Sequence, residues 1–109
     1  MAINVQTIAC VNDAGFVMNF GLEVLNLDDG TINILPNFNS GNYPIDQTRS
    51  VDMTTVGISD GTLVRPHVWA ILGTNNPGNK FVQFTRNGQT ATYEVSGTTL
   101  FYSVNLIGG

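Results

Sequence analysis

The nine residues FVMNFGLEV at positions 16–24 alternate between two kinds of side chain. In an extended chain, successive side chains point to opposite faces. One face of this segment would carry Phe16, Met18, Phe20, Leu22 and Val24. An apolar face of this length is typical of a β-strand that packs on a core. The stretch therefore predicts a strand with a buried face and favours an all-β fold.

Segments rich in β-branched and aromatic residues lie on both sides of this stretch, and turn residues separate them. Further strands are predicted at residues 3–11, 31–38, 47–53, 62–72, 80–86, 90–96 and 100–107. Because Pro36 has no N–H for a ladder, its strand is predicted to be an edge strand or to contain a bulge. The dipeptide Asn87-Gly88 is the strongest hairpin signal, and it predicts pairing of the two strands around it.

Seven or eight strands at roughly 8–12-residue spacing are typical of a β-sandwich or a small barrel. The chain has 109 residues, which suits one domain of ordinary size. No segment shows the helical period of apolar residues over three turns. We therefore predict an antiparallel β-sandwich that fills residues 1–109 as a single domain.

The composition argues against recognition by charge. Charged residues make up 11% of the chain, compared with roughly 25% in typical soluble domains. The net charge is -4, and the cationic residues Arg49, Arg65, Lys80 and Arg86 form no run in the sequence. We expect neither nucleic-acid binding nor attachment through a polybasic patch. A surface built from uncharged polar residues suits contact with glycans or proteins.

The sequence offers little for catalysis or for metal binding. His67 is the single histidine and lies within a predicted strand, and Cys10 is the single cysteine. Zinc sites need several such ligands. Asp28-Asp29-Gly30 and Asp60-Gly61 could supply oxygen ligands for calcium, but they are also ordinary turn sequences. We expect a non-enzymatic protein without a cofactor or a metal, and a hydrolase that uses His67 is the remaining alternative.

The first residues contain neither a basic segment nor an apolar segment of the kind found in signal peptides. No apolar run approaches the 18 residues of a membrane-spanning helix. The expectation is a protein without a signal peptide or a transmembrane segment, which is either cytoplasmic or secreted by an unconventional route. Removal of a leader before residue 1 is the alternative.

One predicted strand face is the first candidate for binding. It carries Leu63, Arg65, His67, Trp69 and Ile71. An outward tryptophan can stack on a sugar ring or on a partner's side chain, and the same face could form an interface between two copies. Alternatively, a loop covers this face, or the two faces of the strand are assigned in reverse.

Two amide-rich loops are the second candidate for binding. The first contains Asn42 and Tyr43, and the second contains Asn75 and Asn76. Loops of this composition at one end of a sandwich resemble glycan-binding loops. Asn and Gly are equally common in turns with no binding role.

Several short motifs resemble the C-terminal β-sandwich domain of the cholesterol-dependent (thiol-activated) cytolysins. These motifs are Asn12-Asp13-Ala14-Gly15-Phe16-Val17 with Phe20, Ser50-Val51-Asp52-Met53, Gly57-Ile58-Ser59-Asp60-Gly61-Thr62, the segment 64–72, and the segment 90–100, which ends in Gly-Thr-Thr-Leu. In the cytolysins a Thr-Leu pair in that last position contacts membrane sterol, and the matching residues here are Thr99 and Leu100. The family's tryptophan-rich segment corresponds to residues 59–69, which hold one tryptophan and no cysteine.

Together these observations predict a recognition module that binds a glycan or another membrane-surface ligand and acts as a homo-oligomer. The predicted ligand-binding residues are Arg65, His67, Trp69, Asn42, Tyr43, Asn75, Asn76, Thr99 and Leu100. The alternative is a structural or self-assembling domain whose exposed apolar face makes only protein contacts.

Overall fold

Nearly all of the regular structure is β-strand. A computed structural model of the chain describes residues 3–109. Its strands are β1 Asn4–Val5, β2 Thr7–Asn12, β3 Met18–Leu25, β4 Ile32–Ile34, β5 Thr48–Asp52, β6 Leu63–Ala70, β7 Asn75–Pro77, β8 Val82–Phe84, β9 Thr90–Gly97 and β10 Tyr102–Gly108. One turn of 3-10 helix, Met53–Thr55, follows β5. Residues 3–109 contain no helix of the length and apolarity needed to span a membrane.

The strands form two sheets that pack around a common core, which confirms the predicted all-β sandwich. Within the described residues, the first sheet has six strands in the order β1-β8-β6-β3-β4, with β7 also paired to β6. The second sheet has the order β10-β9-β2-β5. Each sheet includes one parallel pair, β1 with β8 and β2 with β9, so the pairing is mixed rather than purely antiparallel as predicted.

The core is built from the inward residues of both sheets. The first sheet contributes Met18, Phe20, Leu22, Val64, Val68, Val82 and Phe84, and the second contributes Ile8, Cys10, Val51, Ala91, Tyr93, Val95 and Val104. The alternation predicted for residues 16–24 is confirmed at Met18, Phe20 and Leu22, which are fully buried. In β6 the burial alternates along the whole strand, so Arg65, His67 and Trp69 lie on the outer face as predicted.

The predicted first strand, residues 3–11, is in fact two strands in different sheets. β1 pairs with β8 in the first sheet, and β2 pairs with β5 and β9 in the second. The chain crosses between the sheets at Gln6, whose N–H donates to the carbonyl of Gln89 at 2.9 Å. Val5 and Ile8 are both fully buried although they are three residues apart. That spacing breaks the two-residue period and marks the crossing.

The hairpin predicted at Asn87-Gly88 is also wrong. The turn is present, and Gly88 has a φ of 74°, but β8 and β9 on either side belong to different sheets. Asn87 Nδ2 donates to the carbonyl of Asn4 at 3.0 Å, and the Gly88 N–H donates to Gln6 Oε1 at 3.0 Å. Contacts with the crossing at Gln6 therefore replace pairing between the two flanking strands.

The predicted strand at residues 31–38 is shorter than expected and ends at Ile34, two residues before Pro36. β4 is an edge strand, as the proline predicted. Beyond it, single backbone hydrogen bonds continue along β3: Ser40 N–H donates to Phe20 O at 2.9 Å, and Tyr43 N–H donates to Met18 O at 2.8 Å. These bonds hold the 39–42 loop beside the outer face of β3.

Candidate functional site

The outer face of the first sheet carries the side chains that alternate with the core residues of β3 and β6. Residues directly opposite one another in a ladder project from the same face of a sheet. The opposed pairs are Asn19–Trp69, Gly21–His67 and Glu23–Arg65 between β3 and β6, and Trp69–Asn75 between β6 and β7. These residues form one surface, which we call the tryptophan face.

Trp69 lies over Gly21 in the centre of this surface. A Cβ atom built on Gly21 would stand 3.2 Å from Cζ3 and 3.3 Å from Cη2 of Trp69. The imidazole of His67 packs against the indole, with ring centroids 4.7 Å apart and an interplanar angle of 53°. The glycine therefore provides the space that the indole occupies, and Trp69 remains half-buried rather than covered.

A buried carboxylate organises the neighbouring part of the face. Glu23 is only 5% exposed. Its Oε1 accepts from Arg65 Nε at 2.8 Å, and its Oε2 is hydrogen-bonded to Nδ1 of His67. The other ring nitrogen of His67, Nε2, lies 2.8 Å from Oδ1 of Asn75. A buried carboxylate is costly unless it is paired, and Glu23 has a basic partner on each oxygen.

A chain of amides approaches Trp69 from the opposite side. The Gly41 N–H donates to Oδ1 of Asn39 at 2.8 Å, and Asn39 Nδ2 donates to Oδ1 of Asn19 at 3.0 Å. Asn19 Nδ2 then donates to Oδ1 of Asn42 at 3.1 Å. A backbone N–H can only donate, so the first bond fixes the orientation of every amide that follows. The Nδ2 group of Asn42 stands at the end of this chain.

Two turns at one end of the sandwich, together with the segment before β3, present large apolar side chains to solvent. Leu72 is 99% exposed, Phe101 is 83% exposed and Leu100 is 62% exposed. The Thr74 N–H donates to the carbonyl of Thr99 at 3.2 Å, which joins the β6–β7 turn to the β9–β10 turn. The Ile71 N–H donates to the carbonyl of Val17 at 3.0 Å, which adds the segment before β3. We call the residues Val17, Ile71, Leu72, Leu100 and Phe101 the apolar tip.

The backbone of the apolar tip is tightly constrained. Thr98 and Phe101 exchange backbone hydrogen bonds of 2.9 and 3.1 Å, so Thr99 and Leu100 form a two-residue turn between β9 and β10. Leu72 has a φ of 61°, in the left-handed region that costs a leucine energy. Non-glycine residues in the left-handed region, such as Leu72, tend to occur at functional sites. The two turns also lack charge, since residues 71–79 and 97–104 contain no charged side chain.

The structure brings together most of the residues that the sequence singled out. Arg65, His67, Trp69, Asn75 and Asn42 all belong to the tryptophan face or to the amide chain beside it. Leu100 lies on the apolar tip, and Thr99 supports that tip through its carbonyl group. We continue to treat these seven residues as candidates for ligand binding.

Two of the predicted residues lie elsewhere. Tyr43 is 1% exposed, and its hydroxyl donates to the carbonyl of Cys10 at 2.8 Å. Desolvation by burial raises the pKa of this phenol well above its usual value. Asn76 neighbours Asn75 in β7 and so faces the other way, where its Nδ2 donates to the carbonyl of Tyr102 at 3.3 Å. Both side chains are used within the fold, so we assign them structural roles.

Sequence reasoning missed several members of both surfaces. Gly21 and Glu23 are in the outward set of the 16–24 alternation, and pairing of that strand with the Trp69 strand would have placed them there. Asn19 belongs to the same set. Phe101 follows the Thr-Leu pair directly, and Leu72 ends an apolar run just before Gly73. The signal that could have indicated exposure of Leu72 was its position next to Gly73, a glycine in a predicted loop.

The opposite end of the molecule holds the aspartates that the sequence suggested for calcium. An open groove of about 520 Å³ lies there between the β3–β4 turn and residues 59–63. Asp29 accepts two hydrogen bonds from Thr31, which lower the pKa of its carboxyl. Asp60 pairs with Arg86. Within residues 3–109 no group of three or more Asp, Glu, His or Cys side chains is placed to hold a metal ion.

Comparison by sequence and comparison by structure give different results. No protein-family model matches the chain, and no curated protein matches it either. Among solved structures, listeriolysin O is similar over 95% of this chain and 22% of its own length, with a TM-score of 0.54 and 12% identity. The chain therefore spans less than a quarter of the length of listeriolysin O.

Two structures of pneumolysin give the same picture. One is described as a sugar-binding protein and is similar over 95% of this chain and 23% of its own length, with a TM-score of 0.50 and 12% identity. The other is its membrane-binding domain, which matches over 95% of this chain and 96% of its own length, with a TM-score of 0.51 and 11% identity. In fold, the chain resembles the C-terminal membrane-binding domain of the cytolysins.

Proposed function

We propose that the chain is a non-enzymatic recognition module that attaches to a membrane surface through the apolar tip. The observation that carries this proposal is the exposure of Leu72, Leu100 and Phe101 on turns that are linked to one another. Large exposed apolar side chains grouped in one place mark a surface that is covered in function. The similarity in fold to a membrane-binding domain supports the proposal that a membrane contacts the apolar tip.

The composition of the tip suits shallow insertion. Burying a leucine or phenylalanine side chain contributes roughly 1.5–3 kcal/mol, and the tip turns would bring no charge into the bilayer. Three such side chains together contribute roughly 4.5–9 kcal/mol, which corresponds to reversible attachment. Assembly into a homo-oligomer would raise the overall affinity by adding attachment points, which is why oligomerisation belongs to this proposal.

Vesicle flotation tests the proposal. Zwitterionic vesicles are prepared with and without cholesterol, because Thr99 and Leu100 match a sterol-contacting pair in the resembling family. We expect wild-type protein to float with vesicles and the double variant Leu100→Asp/Phe101→Asp to stay in the soluble fraction. Leu27→Asp is the matched control, since Leu27 is 71% exposed at the other end of the sandwich. Equal flotation of the double variant and wild type would rule out the tip as the attachment site.

A second function is favoured by a separate observation, which is the arrangement of the tryptophan face. A half-buried indole with amide side chains on both flanks can stack on the apolar face of a sugar while the amides bind its hydroxyl groups. We propose that this surface binds a glycan. Trp69 is two residues from Ile71 of the apolar tip, so a glycan carried by a membrane lipid or protein could reach both surfaces.

The glycan proposal is tested with Trp69 itself, because it is the single tryptophan of the chain. Its fluorescence is recorded during titration with a panel of mono- and disaccharides. We expect a saturable change for at least one sugar, and loss of binding in Trp69→Ala as measured by calorimetry. If no sugar at millimolar concentration changes the emission, glycan binding is rejected. The structural alternative is then favoured, provided light scattering shows self-association through this face.

A further inference from the structure

Strand β4 is an edge of the first sheet, and half of its backbone groups point away from the sheet. The carbonyl of Thr31 and the N–H of Leu35 make hydrogen bonds of 2.8 Å on the β3 side. Hydrogen-bonded residues alternate along an antiparallel ladder, so Asn33 also bonds to β3. The N–H and C=O groups of Ile32 and Ile34 therefore face outward. No other strand of residues 3–109 lies on that side.

The three other edges of the sandwich are protected. On β10, Asn79 bonds to two outward backbone groups, at 2.8 Å through its side chain and at 2.9 Å through its N–H. On β1, the outward carbonyl of Asn4 accepts from Asn87 Nδ2 at 3.0 Å. β5 carries Arg49 and Asp52, and charged side chains on an edge discourage pairing with another strand. Among the strands that the structure describes, β4 is the edge without such a device.

The side chains of β4 also favour a strand as its neighbour. Ile32 and Ile34 are each 45% exposed. They lie opposite Leu25 and Glu23 of β3, so both project from the outer face of the first sheet. Residues 30–45 contain no charged side chain. An uncharged edge with exposed β-branched side chains is a template for pairing with another strand.

We propose that two copies of the chain pair through β4 in antiparallel orientation, with Asn33 of each copy at the twofold axis. Ile32 of one copy then lies opposite Ile34 of the other, and each outward N–H meets an outward C=O. The edge is self-complementary in this register, as an isologous interface requires. The isoleucines of both copies pack against each other on the outer face of one continuous sheet. This gives the proposed homo-oligomer a defined interface.

The residues at the two ends of β4 favour this register over its neighbours. A shift towards the end of the strand would place Ile32 opposite Pro36, which has no N–H to donate. A shift towards its start would place Ile34 opposite Gly30, whose N–H is already bonded within the β3–β4 turn. Each shift leaves a carbonyl group without a donor. The register centred on Asn33 is the one that satisfies every outward group.

The pairing has a consequence for the apolar tip. The tip lies at one end of the strands, where Val17 precedes β3 and Ile71 follows β6. Antiparallel pairing reverses the second copy, so the two tips lie at opposite ends of the dimer. The attachment point that the second copy adds therefore serves a second membrane. This consequence rests on the proposed membrane attachment, whereas the pairing through β4 does not.

Disulfide trapping tests the interface and its register. Asn33→Cys places two thiols at the axis, where the Cα atoms lie about 4.5 Å apart, within the range of a disulfide. In the matched control Thr31→Cys, the two Cα atoms would lie about 14 Å apart, which is too far. With oxidised glutathione, we expect the covalent dimer to form at least about tenfold faster in Asn33→Cys, because its thiols are already paired. Cys10 is buried in both variants.

Sedimentation equilibrium measures the pairing without a cross-link. Ile34→Lys puts a charge opposite an isoleucine in each copy and should raise the dimer dissociation constant by more than about tenfold. Ile107→Lys is the matched control, since Ile107 is 58% exposed on β10, and it should leave the constant unchanged. In wild-type protein, hydrogen exchange at the Ile32 and Ile34 amides should slow as the protein concentration rises. That measurement decides even if a variant does not fold.

The outcomes separate the interface from the membrane attachment. A wild-type monomer up to about 1 mM, with equal trapping of both cysteine variants, overturns the interface. A dimer that Ile34→Lys does not weaken overturns its assignment to β4. Slow exchange at Ile32 and Ile34 at every protein concentration would mean that another part of the chain covers the edge, which also overturns it.

Vesicle clustering tests the consequence for the tips. The trapped dimer of Asn33→Cys should raise the turbidity of a vesicle suspension, and a reducing agent should reverse the effect. Flotation without clustering overturns the arrangement of the two tips. Failure of every form to float overturns the proposed membrane attachment and leaves the dimer, which trapping and sedimentation establish in solution.

Discussion

Trp69 occupies the space that a side chain on Gly21 would need, since a Cβ there would lie 3.2 Å from the indole. Gly21→Ala should therefore displace the indole and leave the core intact. We expect a shift in the tryptophan emission maximum, weaker binding of any sugar that stacks on Trp69, and a loss of about 1 kcal/mol in stability. Gly15→Ala is the control, because a Cβ there meets no atom within 4 Å. An unchanged emission spectrum in Gly21→Ala would contradict this assignment.

Leu72 combines nearly complete exposure with a left-handed backbone. Leu72→Gly should raise the free energy of unfolding by about 1 kcal/mol, because glycine adopts this φ without strain. The same change should weaken vesicle flotation. Leu100→Gly provides the comparison, since φ is not positive there; it should weaken flotation and lower stability. Denaturant titration and flotation of the two variants test the pair, and a destabilised Leu72→Gly would contradict the prediction.

Asn12 is fully buried and uses both ends of its amide. Its Nδ2 donates to the carbonyls of Phe16 and Tyr43 at 2.8 and 3.1 Å, and its Oδ1 accepts from the Ala14 N–H at 3.1 Å. Asn12→Ala leaves the Phe16 carbonyl and the Ala14 N–H without these partners, while the Tyr43 carbonyl keeps its bond from the Met18 N–H, and the change should cost about 2–4 kcal/mol. Asn33→Ala, at an exposed position of β4, should change stability by less than about 0.5 kcal/mol. Urea denaturation of both variants provides the measurement.

Two carboxyls outside the core, Asp52 and the half-buried Glu94, should influence acid stability with opposite signs. Hydrogen bonds from the backbone and side chain of Thr54 lower the pKa of Asp52. A carboxyl whose pKa is lowered by folding stabilises the protein above its unfolded pKa, and this contribution is lost as the pH falls through the folded pKa. Asp52→Asn should therefore lower the Tm at pH 7 and leave it nearly unchanged at pH 2.

Glu94 is the opposite case. A hydrogen bond with Asp13, together with desolvation and the Asp13 charge, raises its pKa. A raised carboxyl pKa destabilises the fold once the pH exceeds the folded pKa, and this cost disappears below the unfolded pKa. Glu94→Gln should raise the Tm at pH 7 and have little effect at pH 2. Calorimetry at the two pH values tests both carboxyls, and a change of the same sign in both variants at pH 7 would contradict the analysis.

Cys10 lies in the core, and desolvation raises the pKa of its thiol far above the usual value. Thiolate is the reactive form, so a thiol reagent should not label the folded protein. The rate of labelling in increasing urea should follow unfolding of the second sheet, since Cys10 belongs to β2 between β5 and β9. Rapid labelling in the absence of denaturant would show that Cys10 is accessible.

Local patterns predicted much of the fold because they reflect the two-residue period of a strand. The faces of β3 and β6 follow directly from it. Local patterns did not predict the crossing at Gln6, nor that the strands on either side of Asn87-Gly88 belong to different sheets. Turn chemistry specifies a change of direction, but it does not specify the sheet that the chain enters next. Those choices depend on partners far along the chain, such as Gln6 with Gln89.

The same distinction applies to the candidate sites. Trp69, His67 and Arg65 were predicted from one strand alone. Gly21 and Glu23 join them only through the β3–β6 register, which no local signal defines. Tyr43 was predicted to bind a ligand because it lies in an amide-rich loop. The loop instead directs its ring into the core, where the carbonyl of Cys10 accepts its hydroxyl hydrogen.

The two parallel pairings have a consequence for how the chain folds. β1 and β2 are made before β8 and β9, the strands with which they pair. Neither pairing can form until most of the chain has left the ribosome, and closing such long loops is slow, with times of milliseconds to seconds typical of β-sandwiches. During synthesis β1 and one edge of β2 therefore remain unpaired until β8 and β9 have been made, whereas the other edge of β2 can pair with β5 earlier. Deleting β1 would remove one of these long-range pairings together with the buried Val5, so it should weaken the folded state.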